Sequence, residues 1–210
     1  MRKNKLGLIL LGLMLLSGCA APSLRGTGDM GIAIERATGS VQILDTTHKT
    51  SLGQISGLGD LSHASLNYSR DERYAYVFGR DGGLSKIDLL RRTLDKRVMQ
   101  SGNSIGGAIS QDGRLIAVAN YTPGGVKIFD AASLELVADI PAVSANGKSS
   151  KVVGLVDAPN QRFVFSLYDT GEIWVADVHN PAKPVLTKYI DIGKEPYDGV
   201  ITADGRYYIA

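Results

Sequence analysis

The sequence carries one cysteine, Cys19, in 210 residues. A single thiol excludes intrachain disulfides and zinc–thiolate sites, and its place near the N-terminus leaves the rest of the chain without a cysteine nucleophile. Histidine is almost as scarce: His48, His63 and His179 make up the full set, and no two have a spacing that chelates a metal. Excess charge is missing too. Lys+Arg 23 against Asp+Glu 21 gives +2, and three of the basic residues, Arg2, Lys3 and Lys5, sit in a segment expected to be removed, which leaves a mature charge near zero. That balance offers no electrostatic footprint for nucleic acid or for an anionic membrane surface, and both are dropped as primary partners. Helical signals are nearly absent, since Ala131 to Val137 is better read as a turn leading into an outer strand than as a turn of helix. What remains is ordinary for a globular protein: 44% hydrophobic and 21% charged residues exclude disorder and supply enough apolar mass for a core.

The N-terminus is organised as an export signal. A basic stretch (Arg2, Lys3, Lys5) precedes an uncharged apolar run from Leu6 to Leu16 and then Leu16-Ser17-Gly18-Cys19. The 11-residue run is too short for a permanent transmembrane helix. Leu-Ser-Gly-Cys resembles the bacterial lipobox, which implies cleavage before Cys19 and lipidation of its thiol. Multiple acyl chains on one residue hold a protein stably, so the membrane is met through the lipid anchor only. Ala20, in place of an Asp retention signal, points to the outer membrane, with the protein facing the periplasm. The expected organisation is a signal peptide at 1–18, a lipidated cysteine and flexible tether at 19–29, and a folded unit at 30–210.

That unit contains an internal repeat. Ser69 to Asp88, Gln111 to Asp130 and Pro159 to Asp177 each run through a turn, an arginine (Arg73, Arg114, Arg162), a β-rich stretch, a Gly-containing turn and a second stretch ending in Asp. Residues 30–45 supply the end of an earlier copy, and Ala203-Asp204-Gly205-Arg206 opens a later one. The terminal residues Asp45, Asp88, Asp130 and Asp177 are spaced 43, 42 and 47 residues apart. A period of that size, with β-branched and aromatic runs between Asp-Gly turns, matches a four-stranded propeller blade. The predicted fold is therefore all-β, a β-propeller with about four blades in this chain. The sequence stops inside an apolar run just after a repeat turn, so the expectation is the N-terminal half of a propeller, with its remaining blades further along.

Two motifs imitate catalytic signatures. Gly26-Thr27-Gly28-Asp29-Met30-Gly31 spells the dinucleotide fingerprint, but it follows a tether and runs into a strand pattern, so no NAD is expected. Gly102-Asn103-Ser104-Ile105-Gly106 spells the hydrolase nucleophile elbow without the helix that elbow requires. His48 and His179 follow terminal aspartates and read as solvated turn residues. His63 differs. Ten residues before the repeat arginines stand His63, Ser104, Val152 and Pro196, equivalent points where the chain approaches the innermost strand of each blade. In a propeller these points ring one mouth of the central channel, where His63 is either a structural loop residue or a ligand to an iron centre.

Gly59-Asp60-Leu61-Ser62-His63-Ala64-Ser65, Arg73-Tyr74-Ala75-Tyr76-Val77-Phe78-Gly79-Arg80-Asp81-Gly82-Gly83 and Lys86-Ile87-Asp88-Leu89-Leu90 together resemble the NirF family of haem d1 biosynthesis proteins. Residues 30–210 are more distantly similar to the eight-bladed haem d1 propeller of dissimilatory nitrite reductase and to dihydro-haem d1 dehydrogenase. The resemblance implies that His63 is the axial ligand of a haem iron. It also implies that Arg36 and Arg80 bind haem carboxylates, a task suited to bidentate guanidinium groups. Two family positions differ here. Another carboxylate-binding Arg is replaced by the Ile105-Gly106-Gly107 region, and a distal His of the nitrite reductase by Tyr197 in Tyr197-Asp198-Gly199. Loss of that His argues against nitrite reduction. Tyr197 and Asp198 then become candidates for an acid/base or orienting role on the macrocycle, with packing on its face as the alternative for Tyr197.

The expectation drawn from this resemblance is a membrane-tethered periplasmic protein of haem d1 biosynthesis. It would bind haem d1 or its precursor and catalyse or support a late maturation step, such as a dehydrogenation or side-chain oxidation. Its partners would be nitrite reductase and other haem d1 maturation proteins. Two alternatives stand beside it: a non-catalytic haem d1 carrier to nitrite reductase, and a generic envelope propeller that serves as an interaction scaffold.

Overall fold

A computed structural model describes residues 25–210. The expected leader, Cys19 and the first residues of the tether lie outside the described residues. Regular structure in the described part is all β-strand. The first sheet has three strands, β1 (Met30–Glu35), β2 (Ser40–Asp45) and β3 (Thr50–Ile55). Three antiparallel four-stranded sheets follow. They are β4 (Ser65–Tyr68) to β7 (Thr93–Met99) with β5 (Tyr74–Phe78) and β6 (Gly83–Asp88) between; β8 (Asn103–Ile109), β9 (Leu115–Thr122), β10 (Val126–Asp130) and β11 (Leu136–Ile140); and β12 (Val152–Ala158), β13 (Arg162–Leu167), β14 (Glu172–Asp177) and β15 (Val185–Tyr189). A two-stranded pair, β16 (Val200–Ile201) and β17 (Tyr208–Ile209), ends the chain. Each sheet is a meander in chain order, and the four-strand period is the one the repeat predicts. The chain holds three complete blades flanked by a three-stranded and a two-stranded partial one. Residues 131–135 form the expected turn into β11, with the Asp130 N–H bonded to the Glu135 carbonyl at 2.9 Å.

The repeat residues have local physical jobs. Each terminal aspartate caps the turn after its strand. The N–H groups of His48, Arg91, Ser133 and His179 donate to Asp45, Asp88, Asp130 and Asp177 at 2.7, 3.0, 2.7 and 3.0 Å. This is the Asx geometry that makes Asp a turn residue. A second device recurs between the first and second strands of a blade. The Ser69, Ser110 and Thr202 hydroxyls donate to Asp71, Asp112 and Asp204 at 2.6 Å each. The N–H groups of Arg73, Arg114 and Arg206 donate to the same carboxylates at 3.1 Å each.

Packing follows from strand alternation. Ala75 and Val77 face Val41 and Ile43 of the first blade, while Tyr76 and Phe78 face Ile116 and Val118 of the third. Ala117 and Ala119 turn the other way, onto Phe163, Phe165 and Trp174 of the fourth. A strand buried on both faces reads as a continuous apolar run, which is why β5, β9 and β13 lack the polar alternation of a half-exposed sheet. Face-to-face stacking of successive sheets sets their innermost strands, β4, β8, β12 and β16, side by side.

Candidate functional site

The innermost strands begin at one mouth, and the turn after β1 reaches the same mouth. A cavity of about 420 Å³ opens there. Arg36, His63, Tyr197 and Asp198 line it, together with Ile105, Gly106 and Gly107 and the apolar Ala64, Val153 and Leu155. Four of the residues singled out from the sequence thus share one space, although they come from the turn after β1, the approach to β4 and the approach to β16. The Ile105-Gly106-Gly107 stretch, where relatives were expected to carry an arginine, adds no charge to the lining.

Each donor is presented outward. The His63 imidazole is exposed and makes no hydrogen bond among the described residues, so a ring nitrogen is available. Arg36 is exposed and has no ion pair among the described residues. Arg80 does not line this cavity. It follows β5, with its N–H bonded to the Asp60 carbonyl at 2.8 Å and its own carbonyl accepting from Ser104 N–H at 3.3 Å, which places it on the same mouth between the second and third blades. Its charge is felt at Asp60 and at Tyr121.

The pair Tyr197 and Asp198 lies on an irregular segment before β16, and Gly154 docks that segment. The Gly154 N–H donates to the Tyr197 carbonyl at 3.1 Å. A Cβ on Gly154 would sit 2.5 Å from that carbonyl oxygen and 3.1 Å from Asp198 Cα, distances that force the segment away from β12. Gly154→Ala is therefore expected to weaken occupation of the cavity about tenfold and to lower the melting temperature by a few degrees, the scale of overpacking at about 1–3 kcal/mol, read by a ligand titration beside a thermal scan. Binding equal to wild type would show that the placement of Tyr197 and Asp198 is immaterial.

Residues that sequence reasoning missed surround Tyr197. Tyr121 ends β9, Tyr168 follows β13 and Lys151 precedes β12. The Tyr121 and Tyr197 hydroxyls lie 3.4 Å apart, and the Tyr168 ring meets Tyr197 edge-on at 6.0 Å between centroids. A signal existed: Arg80 and Tyr121 both stand seven residues after a repeat arginine, and Tyr168 six after the next. The two imitated motifs have structural places. Ser104 is buried in β8 and its hydroxyl donates to the Gly79 carbonyl at 2.7 Å, so it is tied into the neighbouring blade. Gly26 to Gly31 makes a turn, with Met30 N–H bonded to the Thr27 carbonyl at 2.8 Å, and runs directly into β1. His48 and His179 are exposed, with ring nitrogens 2.9 and 2.8 Å from the aspartates whose turns they join.

The cavity can take a planar ligand of mixed character. It offers a nitrogen donor for a metal, the Arg36 guanidinium for a carboxylate, apolar side chains for a ring face and hydroxyl and carboxylate groups at the rim. The stacked four-stranded antiparallel sheets are blades of a β-propeller. Residues 25–210 match the cytochrome D1 heme domain model, and the chain belongs to that family. It is 67% identical over 201 residues to Protein NirF of Pseudomonas aeruginosa, covering 94% of this chain and 51% of that protein. It is 58% identical over 205 residues to Protein NirF of Stutzerimonas stutzeri, covering 97% of this chain and 52% of the relative. Among solved structures it is similar to the dihydro-heme d1 dehydrogenase NirN in complex with DHE, at TM-score 0.80 and 29% identity over 89% of this chain and 40% of that one. The chain spans about half the length of the curated relatives it matches.

Proposed function

We propose that the mouth cavity binds haem d1 or its precursor and that the protein acts in haem d1 biosynthesis, at a late maturation step. The observation that carries this reading is the convergence of Arg36, His63, Tyr197 and Asp198 in one cavity of a cytochrome D1 heme domain. His63 would hold the iron, and Arg36, with Arg80 on the neighbouring blade, would pair with the carboxylates at the ring edge. The bound tetrapyrrole supplies an iron that can exchange electrons and a macrocycle that can be dehydrogenated or trimmed. The chain's own part is to orient the ring between the apolar lining and the rim, and to place the Tyr197 hydroxyl and the Asp198 carboxylate where a proton can be taken or given. The lipobox-like Cys19 supports a location in the periplasm, anchored through lipid to the outer membrane, with nitrite reductase and other haem d1 maturation proteins as partners.

A carrier role is the second reading, and the aromatic character of the rim favours it: the Tyr168 ring meets Tyr197 edge-on, a surface on which a tetrapyrrole face can pack with no acid/base step. Titration of the full chain with haem d1 and with its dihydro precursor, followed in the visible, tests the common premise. Saturable shifts of the Soret and long-wavelength bands are expected. Their absence would refute both readings and leave an envelope interaction scaffold. Where binding is seen, incubation of the precursor with an added electron acceptor separates the two. A lower product mass marks the enzyme, and an unchanged mass marks the carrier.

A further inference from the structure

Three blades send an aromatic side chain to one point of the mouth. Tyr121 comes from the end of β9, Tyr168 from the turn after β13, and Tyr197 from the segment before β16. Lys151 stands beneath two of them, its Nζ 4.3 Å from the Tyr168 ring centroid and 5.9 Å from that of Tyr121. Asp169 Oδ1 holds the same ammonium at 3.5 Å. The Glu195 carboxylate beside the Tyr168 hydroxyl raises that phenol, so Tyr168 offers Tyr197 its ring rather than its hydroxyl. The hydroxyl of Tyr197 meets Tyr121 instead, at 3.4 Å.

Tyr197 needs such support. No regular strand carries it, and its backbone is tied to β12 through a single bond to Gly154. Tyr121, by contrast, lies within the eight-residue β9 as the bulged residue of its ladder, between Asn120 and Thr122, which pair with Ser104 and Asn103 of β8. Burial, then the neighbouring Tyr197 hydroxyl, pushes the Tyr121 phenol well above its ordinary range, against the opposing charge of Arg80. Tyr121 is therefore a neutral hydrogen-bonding group held between two paired strand residues, facing a candidate rim group on an irregular segment.

We propose that Tyr121 is a positioning residue that acts through Tyr197, fixing its hydroxyl over the cavity before the ligand arrives. The gain is preorganisation: a side chain already held in place loses less freedom on binding. A hydroxyl pair at 3.4 Å is of the kind that tightens when a ligand is bound. This role rests on the reading of the mouth as a haem d1 site.

The test is a double-mutant cycle in the full chain, titrated with haem d1: wild type, Tyr121→Phe, Tyr197→Phe and the double variant. Loss of the Tyr121 hydroxyl is expected to weaken binding about fivefold, the scale of one hydrogen bond. The double variant is expected to bind no more weakly than Tyr197→Phe alone, and the long-wavelength band of bound haem d1 in Tyr121→Phe to move to its position in Tyr197→Phe. Binding by Tyr121→Phe that matches wild type overturns the proposal, and so do effects that multiply in the double variant. Thermal scans of the same proteins guard against a folding defect. Tyr121→Phe keeps the ring and should melt with wild type, whereas a lowered midpoint with weaker binding retained in the Tyr197→Phe background marks a purely structural role and also overturns it. Failure of the site reading looks different: wild type gives no saturable shift, or His63→Ala leaves the spectrum of the complex unchanged, and the positioning role falls with it. A wild type that binds through His63, with Tyr121→Phe indistinguishable from it, removes the positioning role alone.

Discussion

His63→Ala is expected to lower affinity for haem d1 by more than about tenfold, because replacing even a residue behind a metal ligand commonly costs 10–100-fold. The spectrum of any residual complex should lose the signature of nitrogen ligation, and added imidazole should restore it by filling the space the side chain vacates. The fold should be indifferent. The imidazole is exposed and makes no hydrogen bond among the described residues, so its removal belongs with surface substitutions, which stay within about 0.5 kcal/mol of wild type. Stability and ligation therefore separate cleanly at this position. Full affinity with an unchanged spectrum would remove His63 from the site, and with it the main chemical reason for placing an iron at this mouth.

Trp174→Ala is expected to destabilise the protein by about 3–5 kcal/mol, the range for deleting a large buried aromatic side chain. Trp174 is completely buried between the third and fourth blades. It packs with Phe165 at 6.1 Å between ring centroids, and Lys188 Nζ lies 3.7 Å from its own ring centroid. Its Nε1–H donates to Glu172 Oε2 at 2.7 Å, and Glu172 is itself buried, so truncation opens a cavity and strands a carboxylate oxygen as well. Urea denaturation of the full chain reads the change directly. A loss below about 1 kcal/mol would mean that the blade faces are not the close-packed interface on which the placement of β12 depends. Trp174→Phe, which keeps much of the volume but not the donor, should fall between wild type and the alanine variant.

The strand plan was legible because its causes are local. Asp45, Asp88, Asp130 and Asp177 recur since each accepts from the N–H groups of the turn that follows it, and Ser or Thr two residues before Asp recurs for the same kind of reason. The double-sided burial of β5, β9 and β13 shows as unbroken apolar runs. The position of His63 was also legible, by counting from the repeat arginine, and that count placed it at a channel mouth. Arg80 came from the family resemblance, and the structure sets it on the same mouth one blade over from Arg36, outside the cavity lining. Tyr121, Tyr168 and Lys151 carried no motif, and their meeting with Tyr197 is invisible until three separate blades are stacked. Gly154 looks like any strand glycine until the chain that lies against it is known.

The sequence by itself determined the blade period, the turns that define it and the place of His63 at the approach to an innermost strand, because alternation along a strand and hydrogen bonding within a turn act over a few residues. Only the tertiary structure decided which of the candidate groups share a cavity, which tyrosines brace the rim and where a missing Cβ lets two segments touch. Those outcomes depend on how buried sheet faces stack, a packing property summed over many side chains that no short stretch of sequence contains.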